Sequence, residues 1–404
     1  ETYGVMVYQE DVIRVAHYFA GLTLTEADVL RRGMSGKYRS REEFQRVKDR
    51  FFEGCAERKY DPAVTNRVWL EIESFAGYSF AKGHSASYAV ESYQSLFLKA
   101  HYPLEFMVGV INNFGGFYRT EFYFHEARMS GAQLEAPCVN NSEHLTTIYG
   151  DQIYMGFIHI KSLETKVAQH IANERHQNGT YTSLDNFLRR LSGRRGGTPG
   201  IGLEQLRILI RIGAFRFTHK NKQQLLWESL LYFSHAKAKP STTVDLFDTE
   251  PKDYPLPVLQ RNTLEDAFDE IELLGFPLCN PFDLLATSYY GDTKAEELSR
   301  RKGKAVHIVG YIVTTKDAST MKTKEHMCFG TFYDVNGKVF DTVHFPESAR
   351  KFPFRGRGFY DIKGKVTEDF GVFTIEVVWM DKLPMVSKRA DQAFAEVLSV
   401  NAQA

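Results

Sequence analysis

Apolar residues recur at helical spacing along most of the first two-thirds of the chain, then switch to alternation between residues 305 and 380. The run from Pro62 to Phe75 reads as one helix closed by Gly77, a residue suited to the left-handed position that ends a helix. Residues 78–83 follow as loop. Tyr88, Tyr93, Leu96, Phe97 and Ala100 then fall close to one face, so the spacing predicts a second helix from His84 or Ser85 to about Ala100. Residues 25–34, TEADVLRRGM, read as a short helix in which Thr25 and Asp28 form a capping box and Arg31 and Arg32 arrive near the end. Residues 262–287 give an amphipathic helix and a turn-rich stretch. Five strand-like runs follow, AVHIVGYIVTTK, HMCFGTFYDV, KVFDTVHF, GFYDIKGKV and VFTIEVVWM, with Asn336 and Gly337 expected to form a type I′ hairpin turn.

The segment FAGYSFAKGHSASYAVESYQ, residues 75–94, carries the clearest chemistry. Lys82, His84 and Ser85 stand in a glycine-bearing loop where a helix begins, and the free N–H groups and positive dipole end of such a helix favour an anion. The same spacing also suits a plain Ser85 cap, a solvated Lys82 and a packed His84. Adjacent arginines offer forked donors that match phosphate oxygens, although neighbours on a helix tend to point to different faces.

At 404 residues, with 43% hydrophobic and 25% charged content, the chain has material for two to four cores. No stretch is long and apolar enough to span a membrane, and no secretory signal opens the chain. Cys55, Cys138, Cys279 and Cys328 are far apart and suggest neither a zinc site nor a disulfide framework, so a cytoplasmic location is expected. A formal charge of +0 means that nucleic-acid binding would rest on local patches. The densest basic runs are FLRRLSGRRGG, residues 187–197, and SRRKGK, residues 299–304; both are expected in loops, with Arg194 and Arg195 as candidate DNA-backbone contacts or as part of a solvated linker.

Together with ETYGVMVYQE at residues 1–10 and SYQSLFLKAHYPLEF at residues 92–106, these segments resemble the fingers domain of bacterial replicative DNA polymerase III alpha subunits, the C-family polymerases. The resemblance implies that Arg31 and Arg32 contact the triphosphate of an incoming dNTP. It also implies that His84 lies beside the nucleotide sugar and helps exclude ribonucleotides, with Lys82 and Ser85 in the same pocket. Gly83 stands where many relatives have serine. The family's two-metal chemistry depends on palm aspartates, and Asp11, Asp28, Asp49 and Asp61 are too scattered to gather around a metal pair. The expectation is therefore a portion of a DNA-directed DNA polymerase that binds but does not polymerise alone and holds no cofactor, the Mg2+ of the intact enzyme belonging to the palm.

The resemblance extends along the chain. GFIHIKSLETKVAQHIANER, residues 156–175, and LEQLRILIRIGAF, residues 203–215, look like the two halves of the family's tandem helix-hairpin-helix region. Such hairpins hold DNA through backbone N–H groups on a glycine turn. The first half has Ser162, Leu163 and Glu164 at its turn, and Glu164 would repel phosphate; Lys161 beside it is a candidate DNA contact. The second half keeps Gly213. Residues 240–257 read as an exposed linker, where the family places its sliding-clamp peptide; Asp245, Leu246 and Phe247 match that peptide, although its usual glutamine is absent. The five strands fit an oligonucleotide-binding type of barrel in which Phe329, Phe332 and Tyr333 either stack bases or fill the interior, with Lys316, Lys322 and Lys324 lining the first loop.

The fold expected is thus multidomain α+β: partial fingers (1–135), tandem helix-hairpin-helix (136–238), linker with clamp peptide and connecting helix (239–300), five-stranded barrel (301–384) and a helical tail (385–404). Primer–template DNA, dNTP, single-stranded DNA and a sliding clamp are the expected partners; the clamp-loader tau contact is not expected, because the corresponding C-terminal region is missing. The competing reading is a stand-alone single-stranded nucleic-acid-binding protein that reuses hairpin and barrel modules.

Overall fold

The computed structural model describes residues 2–34, 41–75, 80–191, 200–238 and 263–386, in two compact units, Glu1–His101 and Tyr102–Ala404. The linker with Asp245, Leu246 and Phe247, the basic pair Arg194 and Arg195, Gly77 and the tail 387–404 lie outside the described residues.

In the first unit, α1 (Gln9–Tyr18), α2 (Leu24–Met34), α3 (Arg41–Glu57) and α4 (Pro62–Ser74) enclose a core that includes Val12, Leu22, Leu30, Phe51, Trp69 and Ile72. The Phe51 and Trp69 rings meet at 5.2 Å, a spacing at which aromatic pairs add to simple area burial. Helix α4 opens on Asp61, whose carboxylate accepts the Ala63 N–H at 2.9 Å, with Pro62 in the first helical position.

Two local expectations need correction. The capping box of α2 is Thr23 with Glu26, not Thr25 with Asp28: Glu26 N–H donates to Thr23 Oγ1 at 3.2 Å and Thr23 N–H donates to Glu26 Oε2 at 2.8 Å. Thr23→Ala should therefore destabilise the first unit by about 1 kcal/mol in a urea titration, while Thr25→Ala leaves it nearly unchanged. Helix α5 (Lys82–His101) begins at Lys82, ahead of His84 and Ser85. Ser85 does not cap it; its hydroxyl donates back to the Ala81 carbonyl at 3.1 Å. None of the residues of α5 is buried, and the stripe of Tyr88, Tyr93 and Leu96 is 66–77% exposed.

In the second unit, α6 (Pro103–Asn112) and α7 (Thr120–Met129) lead into a small sheet of β1 (Gln133–Glu135), β2 (Thr147–Tyr149) and β3 (Gln152–Tyr154), ordered β1-β3-β2. Helices α8 (Thr165–Asn178), α9 (Leu184–Leu191), α10 (Leu203–Arg211), α11 (Lys222–Ala238) and α12 (Thr263–Leu273) follow. Ile153, Ile171, Phe187, Leu206, Leu209 and Phe215 share one core, joined by Met107 and Ile111 from α6 and Phe124 and Ala127 from α7. The second compact unit begins at Tyr102, and α6 and α7 bury their apolar faces on the hairpin helices.

Strands β4 (Ala305–Ser319), β5 (His326–Tyr333), β6 (Val339–His344), β7 (Phe359–Asp369) and β8 (Val372–Leu383) close a five-stranded barrel in the order β4-β5-β6-β8-β7, with α13 (Pro346–Lys351) between β6 and β7. All neighbours run antiparallel except β6 and β8. Closure leaves no free sheet edge. The turn after β5 is not type I′, which needs a positive φ at both central residues; only Gly337 has one, at +77°. Asp334 organises a longer turn, its Oδ1 accepting the N–H groups of Asn336 (2.9 Å) and Lys338 (3.0 Å).

The barrel is fixed to α7. His125 donates to the Gly337 carbonyl at 3.0 Å and stacks on Tyr333 at 4.3 Å, and Arg128 donates to the Leu278 carbonyl at 2.6 Å. Arg357 donates to Tyr311 Oη (2.7 Å), Gly275 O (2.5 Å) and Glu121 Oε2 (2.6 Å), and the Glu121 side chain is only 6% exposed.

Candidate nucleic-acid interface

The two arginines of α2 do not diverge. Asp28 lies three residues before Arg31 and four before Arg32, the two offsets that share a helix face. Arg31 Nε reaches Asp28 Oδ1 at 2.7 Å and Arg32 Nη2 reaches Oδ2 at 2.8 Å, so one carboxylate holds both guanidinium groups side by side. The hydrogen bond from Arg31 is the main cause that keeps the Asp28 carboxyl below its usual range. All three side chains remain 32–39% exposed, so water and a solute reach them.

Residues 8–10 connect this pair to the start of α5. Arg31 Nη1 donates to Gln9 Oε1 at 3.3 Å, and Gln9 N–H donates to the Phe80 carbonyl at 2.8 Å. The Lys82 backbone N–H donates to Glu10 Oε2 at 2.9 Å and Oε1 at 3.1 Å, and the Lys82 ammonium stands 5.8 Å from the centre of the Tyr8 ring. An internal carboxylate therefore sits where the sequence pattern predicts an anion at the helix start. His84 and Ser85 lie in the first turn of α5, His84 exposed and Ser85 half-buried. Sequence reasoning missed Glu10 altogether, since nothing local marks a contact 72 residues away.

In the first hairpin, the turn between the short 3-10 helix at Phe157–His159 and α8 is filled from within. Ser162 takes a left-handed φ of +64°, Gln205 Nε2 donates to the Ser162 carbonyl at 2.9 Å, and Glu164 N–H donates to Gln205 Oε1 at 2.8 Å. Gln205 thus takes a backbone donor that a phosphate would use, with the Glu164 carboxylate alongside. Lys161 is exposed at the edge of this turn, its own N–H donating to the Leu273 carbonyl at 2.8 Å.

The second hairpin turns after α10 in a Schellman motif. Gly213 has φ +76°, Ala214 N–H donates to the Leu209 carbonyl at 2.9 Å and Gly213 N–H to the Ile210 carbonyl at 3.0 Å. A side chain at Gly213 would meet open space, so the backbone at this turn is accessible from outside. The basic run at 187–197 begins in helix and not in loop: Arg189 pairs with Asp185 at 2.7 Å, and Arg190 pairs with Glu174 at 3.1 Å while lying 4.2 Å over Tyr181. In the other run, Arg301 closes a 3-10 turn and Lys302 pairs with Glu368.

On the barrel, Phe332 and Tyr333 are corrected as base-stacking platforms. Phe332 is fully buried with its face stacked on Phe340 at 5.5 Å, and Tyr333 is packed against His125 and Phe122. The two are neighbours on β5 and so face opposite ways: Phe332 fills the barrel interior, where a narrow barrel needs large side chains, and Tyr333 is buried on the outer side against α7. Phe329 remains 38% exposed, and Lys322 and Lys324 are exposed in the β4–β5 turn beside Met321.

A helical module with paired arginines, a hairpin layer and a closed barrel make a multi-module α+β protein whose second unit contains a helix-hairpin-helix motif, and a family model of that description matches residues 131–225. A second model, described as the bacterial DNA polymerase III alpha subunit finger domain, matches residues 1–59. The chain is 33% identical over 361 residues to the DNA polymerase III subunit alpha of Treponema pallidum, covering 86% of this chain and 30% of that protein. The subunit from Aquifex aeolicus is 29% identical over 387 residues, covering 94% of this chain and 31% of that protein, and the one from Thermus aquaticus is 39% identical over 192 residues, covering 47% and 16%. The chain belongs to the bacterial DNA polymerase III alpha subunit family and spans less than a third of the length of these curated relatives. Among the described residues, no helix is long and apolar enough to cross a membrane.

Proposed function

We propose that this chain supplies the nucleotide-receiving and DNA-holding parts of a DNA-directed DNA polymerase. The observation that carries the reading is the convergence of Arg31 and Arg32 on Asp28, with Gln9 and Glu10 linking that pair to the first turn of α5. A triphosphate brings more charge and more acceptor oxygens than a carboxylate, and forked guanidinium donors match them. It would exchange with Asp28 at the arginines and with Glu10 at the start of α5, with Lys82, His84 and Ser85 close by. Among the described residues no three His, Cys, Asp or Glu side chains could together hold a metal ion. The Mg2+ that phosphoryl transfer needs would be held by a palm elsewhere in a longer polypeptide, and this chain alone would bind without polymerising.

In the same reading the Gly213 turn meets the phosphates of duplex DNA, Phe329 with Lys322 and Lys324 meets unpaired template, residues 245–247 engage a sliding clamp, and the protein works in the cytoplasm. The test is dNTP binding to the chain supplied with primer–template and the family's palm domain. Arg31→Ala and Arg32→Ala should each weaken binding by about tenfold or more, since a hydrogen bond to a charged group contributes roughly 1.5–3 kcal/mol. Unchanged nucleotide binding in both variants would remove the basis of this assignment.

A further inference from the structure

All five lysines and arginines between residues 207 and 222, the stretch that contains the second hairpin turn, are paired with carboxylates. Arg207 pairs with Glu204 (2.7 Å), Arg216 with Glu135 (2.9 Å) and Lys220 with Glu228 (2.5 Å). Two of the five, Arg211 as the last residue of α10 and Lys222 as the first of α11, both turn to α12. Arg211 Nη2 reaches Asp269 Oδ1 at 2.8 Å and Glu272 Oε2 at 2.5 Å, and its Nε and Nη1 reach the same two carboxylates at 3.0 and 3.1 Å. Lys222 Nζ reaches Asp266 at 2.6 Å and Asp269 at 3.2 Å.

Asp266, Asp269 and Glu272 recur every three residues and so line one face of α12. The helix cannot simply drift off, because Ala267, Leu273 and Leu274 are buried and Glu270 Oε2 accepts the Leu278 N–H at 2.7 Å. Three anions therefore face two cations, one of them Arg211 two residues before Gly213, and a phosphate that would use these cations meets net negative charge. To gain Arg211 and Lys222 it must displace carboxylates that already hold them.

We infer that α12 is a built-in competitor for the second hairpin: its acidic face occupies the cations that would grip a DNA backbone and keeps the hairpin in a weak-binding state. The inference rests on reading that hairpin as a duplex-binding element. It makes the hairpin's affinity a property of α12 as much as of the turn itself.

The experiment measures binding of a short labelled DNA duplex to the whole chain across a salt series. Asp269→Asn combined with Glu272→Gln should tighten binding by about tenfold and steepen the dependence on salt by about one released counterion for each phosphate newly contacted. Glu272→Gln alone, whose carboxylate is 57% exposed and whose loss leaves Asp269 in place, should fold normally and tighten binding a few-fold. Adding Arg211→Ala to the double variant should abolish the gain. Equal or weaker binding by the carboxylate variants, with Gly213→Asp still weakening binding by the parent chain, overturns the competitor and leaves the hairpin reading standing. A gain that survives Arg211→Ala overturns the competitor, and parent binding indifferent to Gly213→Asp overturns both.

Discussion

Arg357→Ala is expected to lower the stability of the second unit by about 3 kcal/mol, because it leaves Glu121, buried in the packed seam between α7 and the barrel, with only the more distant Arg119 at 4.0 Å as a cationic partner. The figure is the low end for a broken buried pair, since the arginine side chain is itself 34% exposed. Burial holds the Glu121 carboxyl above the usual carboxylate range even with Arg357 attached. An acid whose folded value is raised favours the protonated fold, so the stability linked to it is fully present below the ordinary carboxylate value and is lost as pH rises through the raised one. Without the guanidinium that upward shift grows. The deficit of Arg357→Ala should therefore be larger at pH 7.5 than at pH 5 in urea titrations, and Glu121→Gln in the same background should restore most of it. A deficit identical at both pH values and untouched by Glu121→Gln would mean that the lost packing of the arginine stem is what matters.

Phe332→Ala should cost about 3–5 kcal/mol and lower the melting temperature of the second unit, as expected for a large side chain removed from a closed interior. Phe329→Ala, at a half-exposed position on the same strand, should cost less than about 1 kcal/mol and instead weaken binding of a single-stranded oligonucleotide. Fluorescence titration of the two variants with single-stranded DNA, alongside their melts, separates the roles. A Phe332→Ala protein that stays stable yet loses the oligonucleotide would exchange the roles of the two rings.

Those two phenylalanines show what is legible in the sequence and what is not. Alternation along HMCFGTFYDV marks a strand but cannot say which of its faces turns inward, and register is decided by pairing with Phe340 on β6. Helices α4 and α5, the barrel and its strand count are written in local periodicity, whereas Asp28 reads from the sequence as a cap residue although offsets of three and four are all its link to Arg31 and Arg32 needs. The helix boundary at Lys82 and the cap of α2 lie a few residues from where the local pattern puts them, because the acceptors come from Glu10 and Thr23. Gln205 in the first hairpin and the acidic face of α12 beside the second are long-range partners, and no motif at the turns themselves announces them.

Helix α7 contributes Phe124 and Ala127 to the hairpin core and Phe122 to the apolar cluster beneath the barrel, while His125 hydrogen-bonds the barrel at Gly337 and Arg128 holds the Leu278 carbonyl in the connection after α12. Anyone exchanging barrels between relatives would meet this shared helix first. A chimera spliced near residue 300 would pair a foreign barrel with a mismatched seat, whereas a splice ahead of Tyr102 transfers seat and barrel together. The natural unit of shuffling in this half of the molecule is larger than its strands suggest.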